Sequence, residues 1–246
     1  MRYRTDLRQG TDAWREWRHS GLGASDAPAL LDLCPASWSP RPCPASLYAE
    51  KVALTVAESP PSYAMRRGQS LEGVARRILE AERGQEYPPV CVEHHALSWL
   101  RASLDGLDEW GERAVEIKGP NEECHRQALA GQVPPHYRPQ LWHQLAATGL
   151  QRIDYASVSN HSSFECLHAD PETGWLWSLA VVSYTPPPGA VDAWVTVAEW
   201  GWGCVRQDTY PERWPAQVAG LAERLRAWAW EGIERPRKRG RKAGAA

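Results

Sequence analysis

The tract over residues 90–118 constrains the fold more than any other part of the chain. VCVEHH, LRASLDGLDEW and RAVEIK are short β-prone runs, divided by turn signals at Asp105-Gly106 and Gly111. They predict a mostly antiparallel meander. Alternation along a strand puts residues i and i+2 on one face, so Glu116 and Lys118 of AVEIK point together. If the preceding strand returns antiparallel across the turn at 109–112, Asp105 comes alongside Glu116. Two carboxylates and an ammonium then share one patch.

Around this tract the reading is mostly helical. DAWREWRHSGLGASDAPALLDL reads as helix, Gly turn, helix: Gly21 and Gly23 break it, and Ser25 and Asp26 stand where a cap restarts it. A Pro-rich loop over 35–44 precedes a short helix near 47–51 and a polar, Pro-containing loop around 59–62. Residues 65–83 set Leu71, Val74, Ala75, Ile78 and Leu79 on one stripe, with basic residues elsewhere, as an amphipathic helix does. Helices are expected over 122–130 and, after Pro134-Pro135, over 137–148. Runs 153–159 and 191–198 read as strands, and the stretch between them, with Pro186-Pro187-Pro188, as a long loop or hairpin. An amphipathic helix over 214–230 closes the fold, and the tail RPRKRGRKAGAA reads as basic and disordered. The expectation is an α/β (α+β) fold with a central mixed sheet flanked by helices. It forms a single domain over 1–232, followed by a tail over 233–246.

Composition narrows the class. A formal net charge of -2 excludes a wholly basic nucleic-acid coat protein but not a nuclease, whose metal-holding carboxylates count against a basic groove. No apolar run approaches the roughly 18 residues of a membrane helix, and MRYRTDLRQG lacks the apolar core of a signal peptide, so a cytoplasmic location is expected. The six cysteines are scattered without a CxxC pair, which predicts free thiols in a reducing compartment. Fourteen tryptophans against one phenylalanine supply large apolar anchors for a core or a subunit interface, with base stacking open to a few of them.

The patch of Asp105, Glu116 and Lys118 suits phosphodiester hydrolysis. Hard Mg²⁺ takes carboxylate and carbonyl oxygens, polarises a phosphate and acidifies a coordinated water. Lys118 would orient or deprotonate that water and offset the charge that develops on the phosphorane. Glu72, on the basic helix, is a candidate second-metal or water ligand. Taken alone, however, an Asp-Gly turn before Glu-x-Lys also describes a solvated strand face with a cross-strand ion pair. His94, His95, His125, His136 and His143 read as solvated or structural, because no HxH or HxxxH face recurs with an acidic partner.

Agreement among several segments in order decides between these readings. WREWRHSGLGASD (14–26), RRGQSLEGVAR (66–76), RASLDGLDEW (101–110), VEIKGP (115–120) and YRPQLWHQLAATG (137–149) together resemble the YqaJ-type viral recombinase family. That family includes the exonuclease of phage lambda and lies within the PD-(D/E)XK nuclease superfamily. The resemblance implies a restriction-endonuclease-like core. It implies metal ligands at Asp105, Glu116 and the Ile117 backbone carbonyl, a catalytic Lys118, a contribution from Glu72, and Gln140 beside the site. It also implies a 5′-phosphate pocket of Arg18, Ser25 and Ser103, which stand at the family's spacing. In isolation Arg18 and Ser25 read as a surface helix residue and a helix cap, and Gln140 as an ordinary polar residue of a helix.

The chain departs from the family in two places. Gly119 replaces the cysteine that often follows the lysine, and residues 168–203 match poorly, as an insertion would, before a weak resumption at CVRQD (204–208). The function implied is a Mg²⁺-dependent exonuclease, with Mn²⁺ as a substitute metal, that digests duplex DNA ends 5′ to 3′ for phage-type recombination. A single-strand annealing protein is the implied partner, and a trimeric ring the implied assembly. Two alternatives stay open: a structure-specific or restriction-like endonuclease on the same core, and a non-catalytic DNA-binding recombination scaffold.

Overall fold

Two sheets meet at Asp105. The computed structural model describes residues 1–53, 63–210 and 213–233, apart from the side chains of 63–65. The first sheet contains β1 (Arg2–Tyr3), β2 (Leu22–Gly23), β3 (Val90–Glu93) and β4 (Leu100–Leu104), in the order β1-β3-β4-β2. The second contains β5 (Gly106–Leu107), β6 (Ala114–Lys118), β7 (Ile153–Ser159), β8 (His168–Ala169) and β9 (Leu176–Tyr184), in the order β5-β6-β7-β9-β8. Both are mixed: β2 runs parallel to β4, and β6 parallel to β7, while the other pairs are antiparallel.

The meander expected over 90–118 is therefore divided between the sheets. β4 pairs with β3, with Ser103 opposite Cys91, and only the two residues of β5 return along β6, with Gly106 opposite Val115. The crossing is tight. A Cβ at Gly106 would lie 2.8 Å from both Tyr87 Cβ and Val115 Cγ1, so no side chain fits where the chain steps from one sheet to the other.

Helices cover the sheets as the apolar stripes direct. They are α1 (Asp12–His19), α2 (Ala27–Leu30), α3 (Pro44–Val52), α4 (Tyr63–Arg83), α5 (Glu122–Leu129), α6 (Arg138–Thr148), α7 (Ala190–Arg206) and α8 (Ala216–Ala229). Leu71, Ala75, Ile78 and Leu79 of α4 pack on Val115 and Ile117 of β6 and on Ala156 and Val158 of β7. Every residue of α6 is buried. This helix runs through the middle of the molecule, against β4 on one side and α7 on the other, and ends where Gly149 takes φ 80°.

Residues 191–198 are not a strand. They lie in α7, whose buried residues Ala190, Ala193, Trp194, Val197, Ala198 and Trp202 recur at helical spacing. A run this apolar reads as a strand, but burial along one stripe of a helix satisfies the same residues. The strand lies earlier: β9, in the stretch read as a loop or hairpin, pairs along all seven residues of β7. Residues 168–203 thus supply two strands of the second sheet and most of a core helix. The loop expected around 59–62 and the tail beyond 233 lie outside the described residues. All six cysteines are free, and no helix among the described residues is long and apolar enough to cross a membrane.

Candidate active site

Asp105 is the one residue between β4 and β5, and it reaches β6 by accepting a 2.8 Å hydrogen bond from Ile117 N–H at Oδ2. Strand alternation buries Val115 and Ile117 under α4 and turns Glu116 and Lys118 to the opposite face. Glu116 is 1% exposed. Its Oε1 accepts from Gln140 and pairs with Lys118, and its Oε2 accepts from Gln144, so both oxygens are held. Lys118 Nζ also lies 5.8 Å from the centre of the Tyr137 ring.

The electrostatics follow from packing carboxylates together in a dry place. Burial, then Glu116 and Glu72, push the Asp105 carboxyl well above the usual carboxylate range against the pull of Lys118. Burial alone would lower Lys118, but Glu116 and Asp105 outweigh it and hold the ammonium above the ordinary lysine value. Glu72 is raised as well, by burial and by Glu116, although its ion pair with Arg76 opposes this. Arg76 in turn donates Nε to the Asp105 carbonyl at 2.9 Å. An oxygen-only donor set that crowds negative charge fits a hard divalent cation. Mg²⁺ in particular asks for one or two carboxylates and keeps several waters. Asp105, Glu116 and the Ile117 carbonyl are the groups that would hold it.

Next to this centre lies the second constellation. Arg18 on α1 donates Nη2 to Ser25 Oγ at 2.6 Å and stacks 4.9 Å from the Trp14 ring. Trp14 Nε1 donates to Ser103 Oγ at 2.7 Å. Thr11 starts α1 by accepting the Trp14 N–H, which sets Trp14 and Arg18 one turn apart on one face. Behind them Asp26 is buried. It accepts from Gly23 N–H at 2.9 Å, pairs with Lys51 Nζ at 2.8 Å, and faces Arg18 at 3.6 Å. Lys51 Nζ also donates to the Arg18 carbonyl at 3.1 Å, so the buried ion pair props the helix that carries the arginine.

One cleft of about 170 Å³ is lined by Arg18, Ser25, Ser103, Asp105, Glu116, Lys118 and Gln140 together. Arg101, Ser103 and Asp105 follow each other at two-residue steps on its wall. Glu72 does not line it and stands behind Asp105, paired with Arg76. Ile117 packs its side chain away, under α4. Sequence reasoning missed Gln144, one helical turn after Gln140 and therefore on the same face, and Trp14, whose place one turn before Arg18 was also legible. His125 and His143 are structural: His125 bridges Ser157 and Ser178 at 2.7 and 2.9 Å, and His143 Nε2 bonds the Arg101 carbonyl at 3.0 Å. At Gly119 a Cβ would lie 2.2 Å from Leu71 Cδ1, so the family's cysteine would require Leu71 to shift.

The model of the YqaJ-like viral recombinase domain matches residues 13–151, more than half of the chain, including Arg18, Ser25, Ser103, Asp105, Glu116, Lys118 and Gln140. The chain belongs to the YqaJ-like viral recombinase family. Two solved structures of an alkaline exonuclease, LHK-Exo from Laribacter hongkongensis, share its fold. One is 23% identical with a TM-score of 0.55, over 89% of this chain and 98% of that one. The other, in complex with dAMP, is 22% identical with a TM-score of 0.56 over the same shares. No curated protein matches the sequence. Outside the family match, β7, β9, α7 and α8 complete the second sheet and the core around α6.

Proposed function

We propose that this protein is a Mg²⁺-dependent exonuclease that digests one strand of a duplex DNA end from 5′ to 3′, leaving single-stranded tails for phage-type recombination. The observation that carries the reading is the shared cleft of Asp105, Glu116 and Lys118 with Arg18, Ser25 and Ser103. A strand end is the one place on DNA where a terminal phosphate sits beside a phosphodiester to be cut. Family membership and the fold shared with an alkaline exonuclease support the same choice.

Bound Mg²⁺ would polarise the scissile phosphate and make a water more acidic. The protein does the rest by positioning. Gln140 and Gln144 keep Glu116 from rotating, and Ile117 N–H does the same for Asp105. Lys118 orients the attacking water and offsets charge building on the phosphoryl oxygens. Arg18 takes the terminal phosphate through charge-assisted hydrogen bonds, with Ser25 and Ser103 as additional donors.

The test is nucleotide release from linear duplex carrying a 5′-phosphate or a 5′-hydroxyl, beside closed circular DNA, in Mg²⁺ and in EDTA. Metal-dependent release that prefers the 5′-phosphate and spares the circle is expected, with Mn²⁺ replacing Mg²⁺. Equal cutting of circle and linear duplex would turn the reading to an endonuclease. No cutting at all would leave a DNA-binding scaffold.

A further inference from the structure

The start of α6 presents three side chains to β6 in one stripe. Tyr137 stands just before Arg138, the first residue of the helix, and Gln140 and Gln144 follow it at the spacing of one helical face. Gln140 and Gln144 each donate to one oxygen of Glu116, and the Tyr137 ring centre lies 5.8 Å from Lys118 Nζ. Little freedom is left to that ring. The Tyr137 N–H donates to the Pro134 carbonyl at 3.0 Å, and the Tyr137 carbonyl accepts from Leu141 N–H at 3.2 Å. His136 and Tyr155 pack against the ring at centroid distances of 4.0 and 5.6 Å. The hydroxyl makes no hydrogen bond among the described residues, so what the residue offers Lys118 is the electron-rich face of its ring.

Lys118 needs that face because its other anchor is shared. An ammonium has three N–H donors. Glu116 Oε1 pairs with Lys118 and also accepts from Gln140, while Oε2 accepts from Gln144. Both oxygens are therefore engaged before a cation arrives. Once Glu116 turns an oxygen to a divalent cation, the added positive charge weakens its hold on the ammonium, whereas a neutral ring keeps its own. Burial pushes the Tyr137 phenol up to about 12, so the ring is neutral in ordinary buffers. With one donor on Glu116 and one on the ring, a third is left for the cleft that Lys118 lines. We propose that Tyr137 is a positioning residue: the face of its ring keeps the Lys118 ammonium in place while Glu116 holds the cation, and so aims the remaining donor at the attacking water. The proposal rests on the nuclease reading above.

Two measurements on the whole chain test it. The chain has four lysines, so the εCH₂ signal of Lys118 is identified in an NMR spectrum of carbon-labelled lysine as the one that Lys118→Ala removes. A group held over a ring face is shifted upfield by the ring current. The wild-type signal should lie upfield of an ordinary lysine in EDTA, stay there in Mg²⁺, and return to the ordinary position in Tyr137→Leu. Cleavage assays in Mg²⁺ then separate the ring from its hydroxyl. Tyr137→Leu should lose about 5–30-fold in kcat, with KM, calorimetric Mg²⁺ affinity and thermal midpoint near wild type, and Tyr137→Phe should cut as wild type does. A Lys118 signal at the ordinary position in Mg²⁺, a Tyr137→Leu protein as fast as wild type, or a Tyr137→Phe protein as slow as Tyr137→Leu overturns the proposal. Should Tyr137→Leu fail to fold, the wild-type signal and the Tyr137→Phe rate still decide. Wild type that cuts nothing while its Lys118 signal stays upfield overturns the nuclease reading instead, and leaves the ring contact standing.

Discussion

The two halves of the catalytic cleft are built by opposite means. Glu116 is 1% exposed, and four polar groups from β6 and α6 surround the carboxylate pair. Arg18 keeps 31% of its side chain in solvent, and the burial in its half lies one layer back, at Asp26 and Lys51. Carboxylates that must hold a cation gain from dryness, because low dielectric strengthens every charge interaction around them. A guanidinium that must receive an anion from water gains from access, and needs only a rigid support. Damage should therefore read out as chemistry in one half and as folding or recognition in the other.

The largest separation between the halves should come from Lys118→Ala. Loss of a single charge-stabilising group costs about 10²–10³-fold in rate. Nucleotide release should fall by at least that much while the thermal midpoint in Mg²⁺, whose charge would stand in for the lysine's beside Glu116, stays near wild type; a variant that unfolds in Mg²⁺ would break the contrast. Asp26→Asn should do the reverse. It leaves the buried Lys51 without its counter-charge, a loss of about 3–5 kcal/mol on denaturant titration.

The same residue gives a pH signature. Burial pushes the Asp26 carboxyl up, but Lys51 and Arg18 outweigh it and hold it below its ordinary value. A carboxyl lowered on folding adds stability that is fully present above the usual carboxylate range and is lost as pH falls through the folded value. Wild type should therefore lose stability in acid more steeply than Asp26→Asn, as thermal midpoints across acid pH would report.

Two smaller effects sharpen the contrast. Gln144→Leu frees one oxygen of Glu116, and loss of such an outer partner costs about 10–100-fold in metal affinity. Calorimetric titration with Mg²⁺ should show that weakening, with the 5′-phosphate preference intact. Ser25→Ala removes one neutral donor, worth about 0.5–1.5 kcal/mol. The preference for a 5′-phosphate should shrink a few-fold in competition assays, at unchanged metal affinity.

The carboxylate half was legible because its signal is local. Glu116 and Lys118 sit two apart on one strand, and Asp105-Gly106 announces the turn that brings the third group across. The pocket half was legible through resemblance alone, since Arg18, Ser25 and Ser103 come from an α-helix, a 3₁₀ helix over Ala24–Asp26 and a strand that only the fold brings together. Gln144 stood one turn from Gln140 and was passed over because a glutamine inside an apolar helix carries no pattern of its own. The region after residue 168 resisted for a different reason. AVDAWVTVAEW is rich in β-branched residues, and its helical stripe of Ala190, Ala193, Trp194, Val197 and Ala198 shows once α6 is in place to cover it. β9, between turn-prone segments, gained its identity from β7 as a partner, which no local propensity expresses.

Asp105 belongs to neither sheet and joins both, two residues after Ser103. If, as proposed, a terminal phosphate sits at Ser103 and a metal ion at Asp105, anchor and blade are separated by about 7 Å of extended backbone, a span set by covalent geometry and not by packing. Under that reading such a fixed pitch would act as a gauge for product size. The fragments released should be uniform and very short whatever the length of the strand, and chromatography of an early digest would read the gauge directly.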